Sequence, residues 1–238
     1  MMSIATIDIV ILAGGLGTRL REVLPERPKI LAPIGGQPFL DHLLRWLIRQ
    51  GARKLVLGLG YRAADVLTYL ETHSFAPLEI HTLVEPEPLG TGGAVSFALP
   101  SLRSDPILVI NGDTIIEADL GAFLRAYLDS GAEASILCAA VEDPGRYGRI
   151  EMDALGRVFR FAEKDSAQSS GPAWINGGVY LFGHVVKQKI AALKKGSLER
   201  DILEKMPPGS VAAFRASGRF LDIGTPETLA LAPEVLAQ

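Results

Sequence analysis

Apolar residues in this chain fall into two patterns that alternate along the sequence. Short continuous runs rich in β-branched residues predict buried strands over 9–13, 54–59, 78–84, 106–110 and 134–141. Between these runs, apolar positions recur at helical spacing, which predicts helices over 39–50, 63–70, 93–99 and 120–129. Such alternation of strands and helices is typical of an α/β fold with a largely parallel sheet.

The second half of the chain departs from this alternation. Residues 149–152 and 158–161 flank the turn Asp153-Ala154-Leu155-Gly156 and predict an antiparallel hairpin. A strand interrupted by Gly177-Gly178 follows over 174–182, then helices over 184–193 and 198–206, and last a short strand, a turn and a helix beginning at Pro226. We predict a single domain over residues 1–238 with a Rossmann-like, mixed but mostly parallel sheet flanked by helices. No hexapeptide repeat is present, so no β-helix tail is expected.

Charge and composition argue against nucleic acid as a binding partner and against a secreted or membrane protein. The chain has 24 Lys and Arg against 27 Asp and Glu, a net charge of −3, so it lacks the basic field that drives nucleic-acid binding. Its only cysteine, Cys138, lies in a predicted buried strand, which excludes an intrachain disulfide and favours the cytoplasm. Residues 1–8 have no cationic region and only a short apolar stretch, so neither a signal peptide nor a membrane span is expected.

A glycine-rich segment follows the first predicted strand. The run Gly14-Gly15-Leu16-Gly17 continues into Thr18 and Arg19, and Arg21 and Lys29 come shortly after it. Glycine amides can converge on an anion while nearby cations add full charges, so the segment predicts a loop that binds a phosphate chain. The alternative is a tight turn flanked by surface cations. The dinucleotide pattern fails because Leu20 stands at its third glycine, and the Walker pattern does not occur.

Two aspartates lie at the ends of separate predicted strands. Asp113 follows Asn111-Gly112 after the fourth strand, and Asp222 ends the last short strand. Ligands of open α/β sheets collect at the carboxyl edge, and Mg²⁺ is commonly held by one or two carboxylates together with substrate phosphates. With Lys29 and the glycine loop, the pair predicts a Mg²⁺-phosphate site. Taken singly, each aspartate is more typical of a turn or a cap.

Seven motifs, in their order along the chain, resemble those of the sugar-1-phosphate nucleotidylyltransferases. They are Gly14-Gly15-Leu16-Gly17-Thr18-Arg19-Leu20, Pro28-Lys29, Pro88-Leu89-Gly90-Thr91-Gly92-Gly93-Ala94, Asn111-Gly112-Asp113, Glu163-Lys164, Asn176-Gly177-Gly178 and Phe220-Leu221-Asp222-Ile223-Gly224-Thr225-Pro226. The resemblance implies the nucleotide-diphospho-sugar transferase fold. It also implies a reaction in which a sugar 1-phosphate oxygen attacks the α-phosphorus of a nucleoside triphosphate and pyrophosphate leaves. Positioning and charge neutralisation carry such a transfer, so no activated nucleophile is needed.

The same resemblance implies roles for individual residues. The nucleotide would contact Leu12, Ala13, Gly14, Gly15, Gly17, Thr18, Glu85, Gly90, Thr91 and Gly112. Arg19 and Lys29 would hold the reacting phosphates, and Asp113 and Asp222 would hold Mg²⁺. The sugar-phosphate side would be lined by Asn111, Gly148, Glu163, Lys164, Asn176 and Gly178. Without the other motifs, Glu163-Lys164 would be interpreted as an exposed charged pair after a hairpin strand.

Glu85 bears on the choice of nucleotide. Thymidylyl and uridylyl members of the family usually carry glutamine at this place, before the loop that begins at Pro86. A carboxylate only accepts hydrogen bonds, so it suits the N1–H and N2–H₂ donors of guanine, and GTP is the predicted nucleotide. The alternative is a solvated loop charge.

Further runs resemble one branch of the family, the D-glycero-α-D-manno-heptose 1-phosphate guanylyltransferases, which serve cell-surface polysaccharide or S-layer glycan synthesis. These runs are 14–21, 27–29, 32–40 and 175–180, although Gly177-Gly178 departs from the Asn-Ala-Gly of many relatives. The alternatives are a mannose-1-phosphate guanylyltransferase, a thymidylyl- or uridylyltransferase for another hexose 1-phosphate, and a catalytically inactive regulatory homologue. A homodimer is compatible with the sequence, because the apolar helix over 226–236 could pack on the core or on a second copy.

Overall fold

The chain folds around a central mixed sheet that has helices on both faces. The computed structural model describes residues 2–20, 22–145, 147–162 and 171–236. Within these ranges the strands are β1 (Ile9–Ala13), β2 (Pro33–Ile34), β3 (Gln37–Pro38), β4 (Lys54–Leu59), β5 (Glu79–Val84), β6 (Ile107–Asn111), β7 (Thr114–Ile116), β8 (Ala134–Val141), β9 (Arg149–Met152), β10 (Val158–Ala162), β11 (Ala173–Phe182), β12 (Val211–Ala216) and β13 (Phe220–Asp222). The α-helices are α1 (Phe39–Arg49), α2 (Ala63–Thr72), α3 (Gly90–Ala98), α4 (Leu120–Ser130), α5 (His184–Ala191) and α6 (Pro226–Leu236).

The main path of the sheet runs in the order β12-β8-β11-β6-β1-β4-β5. β6, β1, β4 and β5 are mutually parallel, and β12 is parallel to β8. β11 is antiparallel to both of its neighbours, and the β9-β10 hairpin joins the first part of β11 through Ile175 and Arg149. The predicted α/β class with a mixed sheet is confirmed, and the parallel pairing is concentrated in the half of the sheet built from the first part of the chain.

Both faces of the sheet are buried, as the continuous apolar runs predict. In β1, Ile9 and Ile11 pack into the core formed with α1, α2, α4 and α6. Val10, which points to the other face, packs into the core formed with α3 and α5. Each of these three side chains is fully buried. The strand that leads into the glycine-rich segment is therefore held rigidly from both sides.

Several predicted elements match the structure closely, and others differ for identifiable reasons. β4 and β8 have the predicted bounds, because each is a continuous apolar run closed by polar or glycine residues. α3 begins at Gly90 rather than at residue 93, since the carbonyl of Gly196 accepts hydrogen bonds from Gly92 and Gly93 and caps a glycine-rich first turn. The predicted helix over 198–206 is instead a π-helical turn at Leu198–Ile202 followed by a 3₁₀ turn at Leu203–Lys205.

Two short pairings of strands were not predicted from the sequence. β12 extends the sheet beside β8, and its outer edge is partly covered by the β9-β10 turn, where Ala213 N–H donates to Gly156 O at 2.7 Å. β7 and β13 form a separate antiparallel pair in which Asp222 is opposite Thr114. This second pairing brings the last strand of the chain next to Asp113, the residue that precedes β7.

The carboxyl ends of β1, β4, β5 and β6 meet at one edge of the sheet, because these four strands are parallel. The loops that leave this edge contain the glycine run after Ala13, Glu85 after β5, and Gly112 and Asp113 after β6. α6 packs on the same side as β13, with Ala232 fully buried in the core. None of the helices in the described ranges has the length and apolar character that crossing a bilayer requires.

The core predicts a stability contrast between two leucines. Leu181 in β11 is fully buried, whereas Leu155 at the tip of the β9-β10 turn is 88% exposed. Leu181→Ala should lower the free energy of unfolding by about 2–5 kcal/mol, because it leaves a cavity between packed strands. The matched control Leu155→Ala should change it by less than about 0.5 kcal/mol. Urea unfolding measures both, and equal losses would contradict the described packing.

Candidate active site

A cleft of about 360 Å³ opens at the carboxyl edge of the parallel strands. Its walls come from the ends of β1, β5 and β6, from the first turn of α3 and from the segment after β13. The predicted site residues that line it are Leu12, Ala13, Gly14, Gly15, Gly17, Thr18, Arg19, Lys29, Glu85, Gly90, Thr91, Asn111, Gly112 and Asp113. All ten residues predicted to contact the nucleotide therefore line one cavity.

Two of the glycines at the cleft leave no room for a side chain, Gly112 because of nearby backbone and Gly14 because of a nearby side chain. A Cβ on Gly112 would lie 2.6 Å from the carbonyl oxygen of Leu12, whose backbone it also meets through a 2.9 Å hydrogen bond. A Cβ on Gly14 would collide with the carboxylate of Glu85. Gly15, in contrast, has no atom within 4 Å of the place that a side chain would occupy. The loop thus closes against the protein at Gly14 and leaves open space at Gly15.

Glu85 is held in place from two directions. Its backbone N–H donates to Leu59 O at 2.7 Å, and its side-chain Oε2 accepts a hydrogen bond from Leu89 N–H at 3.1 Å. Burial raises the pKa of Glu85 above its ordinary value, and the hydrogen bond from Leu89 opposes this shift without cancelling it. A half-buried carboxylate that faces the cleft and has acceptor capacity to spare is suited to a ligand that donates hydrogen bonds.

Opposite charges meet at the other end of the cleft. Lys29 Nζ lies 2.6 Å from Asp113 Oδ2, and the lysine side chain is only 16% exposed. Asp222 is close in the fold, because Ile223 N–H donates to the backbone oxygen of Asp113 at 3.0 Å. The Asp222 carboxylate accepts a hydrogen bond from Gly224 N–H at 2.6 Å, and Gly224 lines the cleft. The two aspartates predicted to act together are thus on adjacent backbone segments.

The donor set fits a magnesium ion that is shared with a ligand. Asp113 and Asp222 supply hard oxygen ligands, which Mg²⁺ prefers, and Mg²⁺ typically takes one or two carboxylates and completes its shell with phosphate and water. In the described ranges, no group of three or more His, Cys, Asp or Glu residues could hold a metal ion. Asp113 and Asp222 are the residues that would hold such an ion beside a phosphate chain.

Of the residues predicted for the sugar-phosphate side, Asn111 lines the cleft and the other described ones do not. Gly178 has a left-handed backbone with φ of +74°, and a Cβ there would collide with Thr114 Oγ1 and with the side chain of Asn111. Asn176 uses its side chain internally, accepting from Gly178 N–H at 2.9 Å. Of the described residues predicted for the site, those outside the cleft walls are Gly148, Asn176, Gly178 and Asp222. Glu163 and Lys164 lie outside the described residues, as does Arg21.

A buried network of hydrogen bonds behind the cleft was missed by the sequence interpretation. The hydroxyl of Tyr180 donates to Glu199 Oε1 and accepts from Asn176 Nδ2, both at 2.8 Å. The other oxygen of Glu199 accepts from Thr91 at 3.2 Å and from Ser197 at 2.7 Å. Thr91 lines the cleft, so the network joins the first turn of α3 to β11.

Burial within this network raises the pKa of Tyr180 well above its ordinary value, and the charge of Glu199 acts in the same direction. The phenol therefore stays protonated and serves as a donor. In the sequence, Ser197 before Leu198 indicates the start of a helix, but nothing indicates the distant partners of Glu199. Leu16, Pro88, Ala94 and Gly224 also line the cleft; they lie in the quoted motifs but had been given no individual role. Ile30 lines it as well and was not predicted.

Comparison with known protein sequences gives matches over nearly the whole chain. A family model described as nucleotidyl transferase matches residues 8–238, a range that includes every residue lining the cleft. The D-glycero-alpha-D-manno-heptose 1-phosphate guanylyltransferase of Aneurinibacillus thermoaerophilus is 34% identical over 221 residues, covering 92% of this chain and 94% of that protein. The mannose-1-phosphate guanylyltransferase of Mycobacterium tuberculosis is 32% identical over 229 residues, covering 95% of this chain and 63% of that longer protein.

Solved structures give a consistent result. HddC from Yersinia pseudotuberculosis superimposes with a TM-score of 0.85 at 36% identity, covering 96% of this chain and 99% of that one. A structure of HddC complexed with GMP-PN superimposes with the same TM-score of 0.85 at 35% identity. The fold described above is therefore similar to one known from experiment.

The buried network predicts an energetic coupling between two of its members. Tyr180→Phe removes the hydroxyl that donates to Glu199, so it should lower the free energy of unfolding by about 1–3 kcal/mol. Glu199→Gln should also destabilise the fold. Because the two side chains share one hydrogen bond, the double variant should lose about 1 kcal/mol less than the sum of the single losses. Urea unfolding of the four proteins measures the coupling, and additive losses would contradict it.

Proposed function

This chain belongs to the nucleotidyl transferase family, and we propose that it transfers the guanylyl group of GTP to D-glycero-α-D-manno-heptose 1-phosphate. It is a sugar-1-phosphate nucleotidyltransferase, as its relatives are. The choice of guanine and the choice of heptose are the specific parts of the proposal. Each has its own support.

Glu85 is the observation that carries the guanine assignment. Its half-buried carboxylate faces the cleft beside Gly14, and one oxygen already accepts a hydrogen bond from the N–H of Leu89. Carboxylate oxygens each have two lone-pair sites, so the group can still accept from both N1–H and N2–H₂ of guanine. Relatives support the same choice, since two curated guanylyltransferases match this chain and HddC was solved in complex with GMP-PN.

The heptose assignment is supported by similarity. The heptose 1-phosphate enzyme of Aneurinibacillus thermoaerophilus is 34% identical, and a second such enzyme, from Campylobacter jejuni, is 33% identical over 221 residues. A second candidate is mannose 1-phosphate, which the 32% identical Mycobacterium tuberculosis enzyme favours. The two sugars share the manno configuration around the ring and differ at the end remote from the phosphate. The phosphate side of the site would therefore serve either sugar.

In the proposed reaction, a phosphate oxygen of the sugar 1-phosphate forms a bond to the α-phosphorus of GTP. The bond from that phosphorus to the oxygen bridging to the β-phosphorus breaks, and pyrophosphate carries away the electron pair. Arg19 and Lys29 line the cleft and would neutralise phosphate charge, while the open side of Gly15 would admit the phosphate chain. A divalent cation held by Asp113 and Asp222 would supply further positive charge at the reacting phosphates.

A substrate screen tests the proposed function. Pyrophosphate release would be measured with Mg²⁺ for GTP, ATP, UTP and dTTP, each against heptose, mannose and glucose 1-phosphates of the appropriate α configuration. We expect GTP with the heptose 1-phosphate to give the highest kcat/KM, exceeding mannose 1-phosphate by about tenfold or more. Higher kcat/KM with mannose 1-phosphate would favour the second candidate. No turnover of GTP with either manno-configured sugar would overturn the proposal.

Glu85 predicts a dependence of nucleotide use on both side chain and pH. Glu85→Gln should raise the KM for GTP about tenfold or more relative to the KM for UTP and dTTP. The reason is that the amide NH₂ would face an N–H donor of guanine where the carboxylate offers an acceptor. Burial raises the pKa of Glu85, so falling pH protonates this carboxyl earlier than an ordinary glutamate and removes an acceptor. The KM for GTP of the unaltered enzyme should therefore rise as pH falls toward that pKa, and Glu85→Gln should lack this rise.

The matched control for this variant is Glu87→Gln, an exposed glutamate of the same loop that does not line the cleft. Its nucleotide preference and its pH profile should equal those of the unaltered enzyme. If Glu85→Gln kept the original preference among nucleotides, Glu85 would be a solvated loop charge and the guanine assignment would lose its basis.

A further inference from the structure

Asp222, a proposed metal ligand, lies in a strand that is too short to hold it in place by itself. It is the last residue of β13, a strand of three residues whose partner β7 is equally short. Isolated two-stranded pairs of this length are marginal by themselves. A shift of one residue in their register would turn Asp222 to the opposite face. The function proposed above requires Asp222 beside Asp113, so the contacts that align β13 with β7 also hold Asp222 in place.

At the Asp113 end, main-chain contacts and burial fix the pair. Ile223 N–H donates to Asp113 O at 3.0 Å, and Ile223 is fully buried. A slip of one residue would turn buried side chains such as Leu221 out of the core, so burial opposes a full change of register. Apolar contacts have no defined geometry, so they resist smaller displacements of Asp222 less well. A contact of defined geometry lies at the other end of the pair.

Glu117 and Arg219 form a two-point contact at that other end. Glu117 N–H donates to Arg219 O at 2.8 Å, while Arg219 Nε donates to Glu117 Oε2 at 2.9 Å and Arg219 Nη2 donates to Glu117 Oε1. Hydrogen bonds from Arg219, supported by the charge of Arg49, hold the pKa of Glu117 below its ordinary value. The planar guanidinium therefore meets an ionised carboxylate in the bidentate geometry that arginine favours.

Gly218 makes this contact specific to one register. A Cβ at Gly218 would collide with the backbone oxygen of Glu117, so the backbone segments at 117 and 218 are in direct contact. The residue pair is also partly exposed, with side-chain exposures of 37% for Arg219 and 47% for Glu117. Partly exposed ion pairs contribute little to the stability of a fold. A contact that is geometrically precise but adds little to the stability of the fold is suited to aligning β13 with β7.

We propose that Glu117 and Arg219 are positioning residues that fix the register of the β7-β13 pair and thereby hold Asp222 in place as a metal ligand. The proposal rests on the proposed function, in which Asp113 and Asp222 bind Mg²⁺. It assigns neither residue a contact with substrate. Their effect is on the affinity of the site for a divalent cation, because a ligand held less firmly binds the ion less tightly.

The test measures metal binding separately from catalysis. Binding of Mn²⁺·GTP to the 238-residue chain would be followed by water proton relaxation in the absence of sugar phosphate. The Mg²⁺ concentration for half-maximal activity would be measured in its presence. We expect Arg219→Met and Glu117→Gln to weaken Mn²⁺·GTP binding and to raise the Mg²⁺ requirement, each by about tenfold. Arg219→Lys keeps the charge but loses the planar guanidinium that makes the bidentate contact, so its effect should be smaller than that of Arg219→Met. At saturating Mg²⁺, kcat should return to within about twofold of the original value.

Lys187→Met is the matched control, because Lys187 forms an ion pair of 2.8 Å with Asp105, which lies before the opposite end of β6. Its Mg²⁺ requirement should not change, and its melting temperature should shift no more than that of Arg219→Met, within about 4 °C. Should Arg219→Met fail to fold, Arg219→Lys and Glu117→Gln carry the comparison.

Asp113→Asn and Asp222→Asn separate this inference from the function on which it rests. If both lose Mn²⁺·GTP binding while the Glu117 and Arg219 variants bind normally, the positioning role is wrong and the metal site stands. If the aspartate variants also bind Mn²⁺·GTP normally, the metal assignment itself is wrong. A graded loss from Arg219→Lys to Arg219→Met, recovered at high Mg²⁺, would support the positioning role.

Discussion

The antiparallel pairing of β7 with β13 is the contact on which the candidate site depends. The parallel strands alone bring the glycine run, Glu85 and Asp113 to one edge of the sheet, because all of them follow strands that point the same way. Asp222 belongs to a different part of the chain, and the pairing of β13 with β7, together with the contacts at its two ends, places it beside Asp113. A nucleotide cleft could form without this pairing. A cleft with two adjacent carboxylates could not.

The balance of charge in the cleft supports a cation as a component of the reaction. Arg19 and Lys29 line it together with Glu85 and Asp113, so its own acidic and basic groups largely offset one another. Lys29 is moreover engaged by Asp113 at 2.6 Å. A nucleoside triphosphate would bring several negative charges into this partly desolvated space, where repulsion between like charges is stronger than in water. A divalent cation held by Asp113 and Asp222 would offset this repulsion with positive charge.

The fold was predictable where the sequence pattern reflects burial on both faces. β4 and β8 match their predicted bounds because continuous apolar runs leave no choice of face. β12 was missed because alanines and Arg215 weaken its pattern, and β7 because three residues carry no period. The segment expected as a helix over 198–206 is irregular, and its Glu199 side chain points inward to Tyr180. Such a contact depends on a partner elsewhere in the chain, which local pattern does not encode.

The same distinction between local pattern and distant contacts applies to the site residues. Those at strand ends, such as Asp113 and Gly112, could be predicted because strand direction fixes their edge of the sheet. Gly14 was predicted from the sequence as part of a phosphate loop, and the structure adds a second reason for it. The carboxylate of Glu85 occupies the space that a side chain at Gly14 would need. Any larger residue would displace Glu85 from the cleft, so the absence of a side chain at this position also maintains the group proposed to recognise the base. A glycine in such a loop can therefore serve the choice of nucleotide as well as the binding of its phosphates.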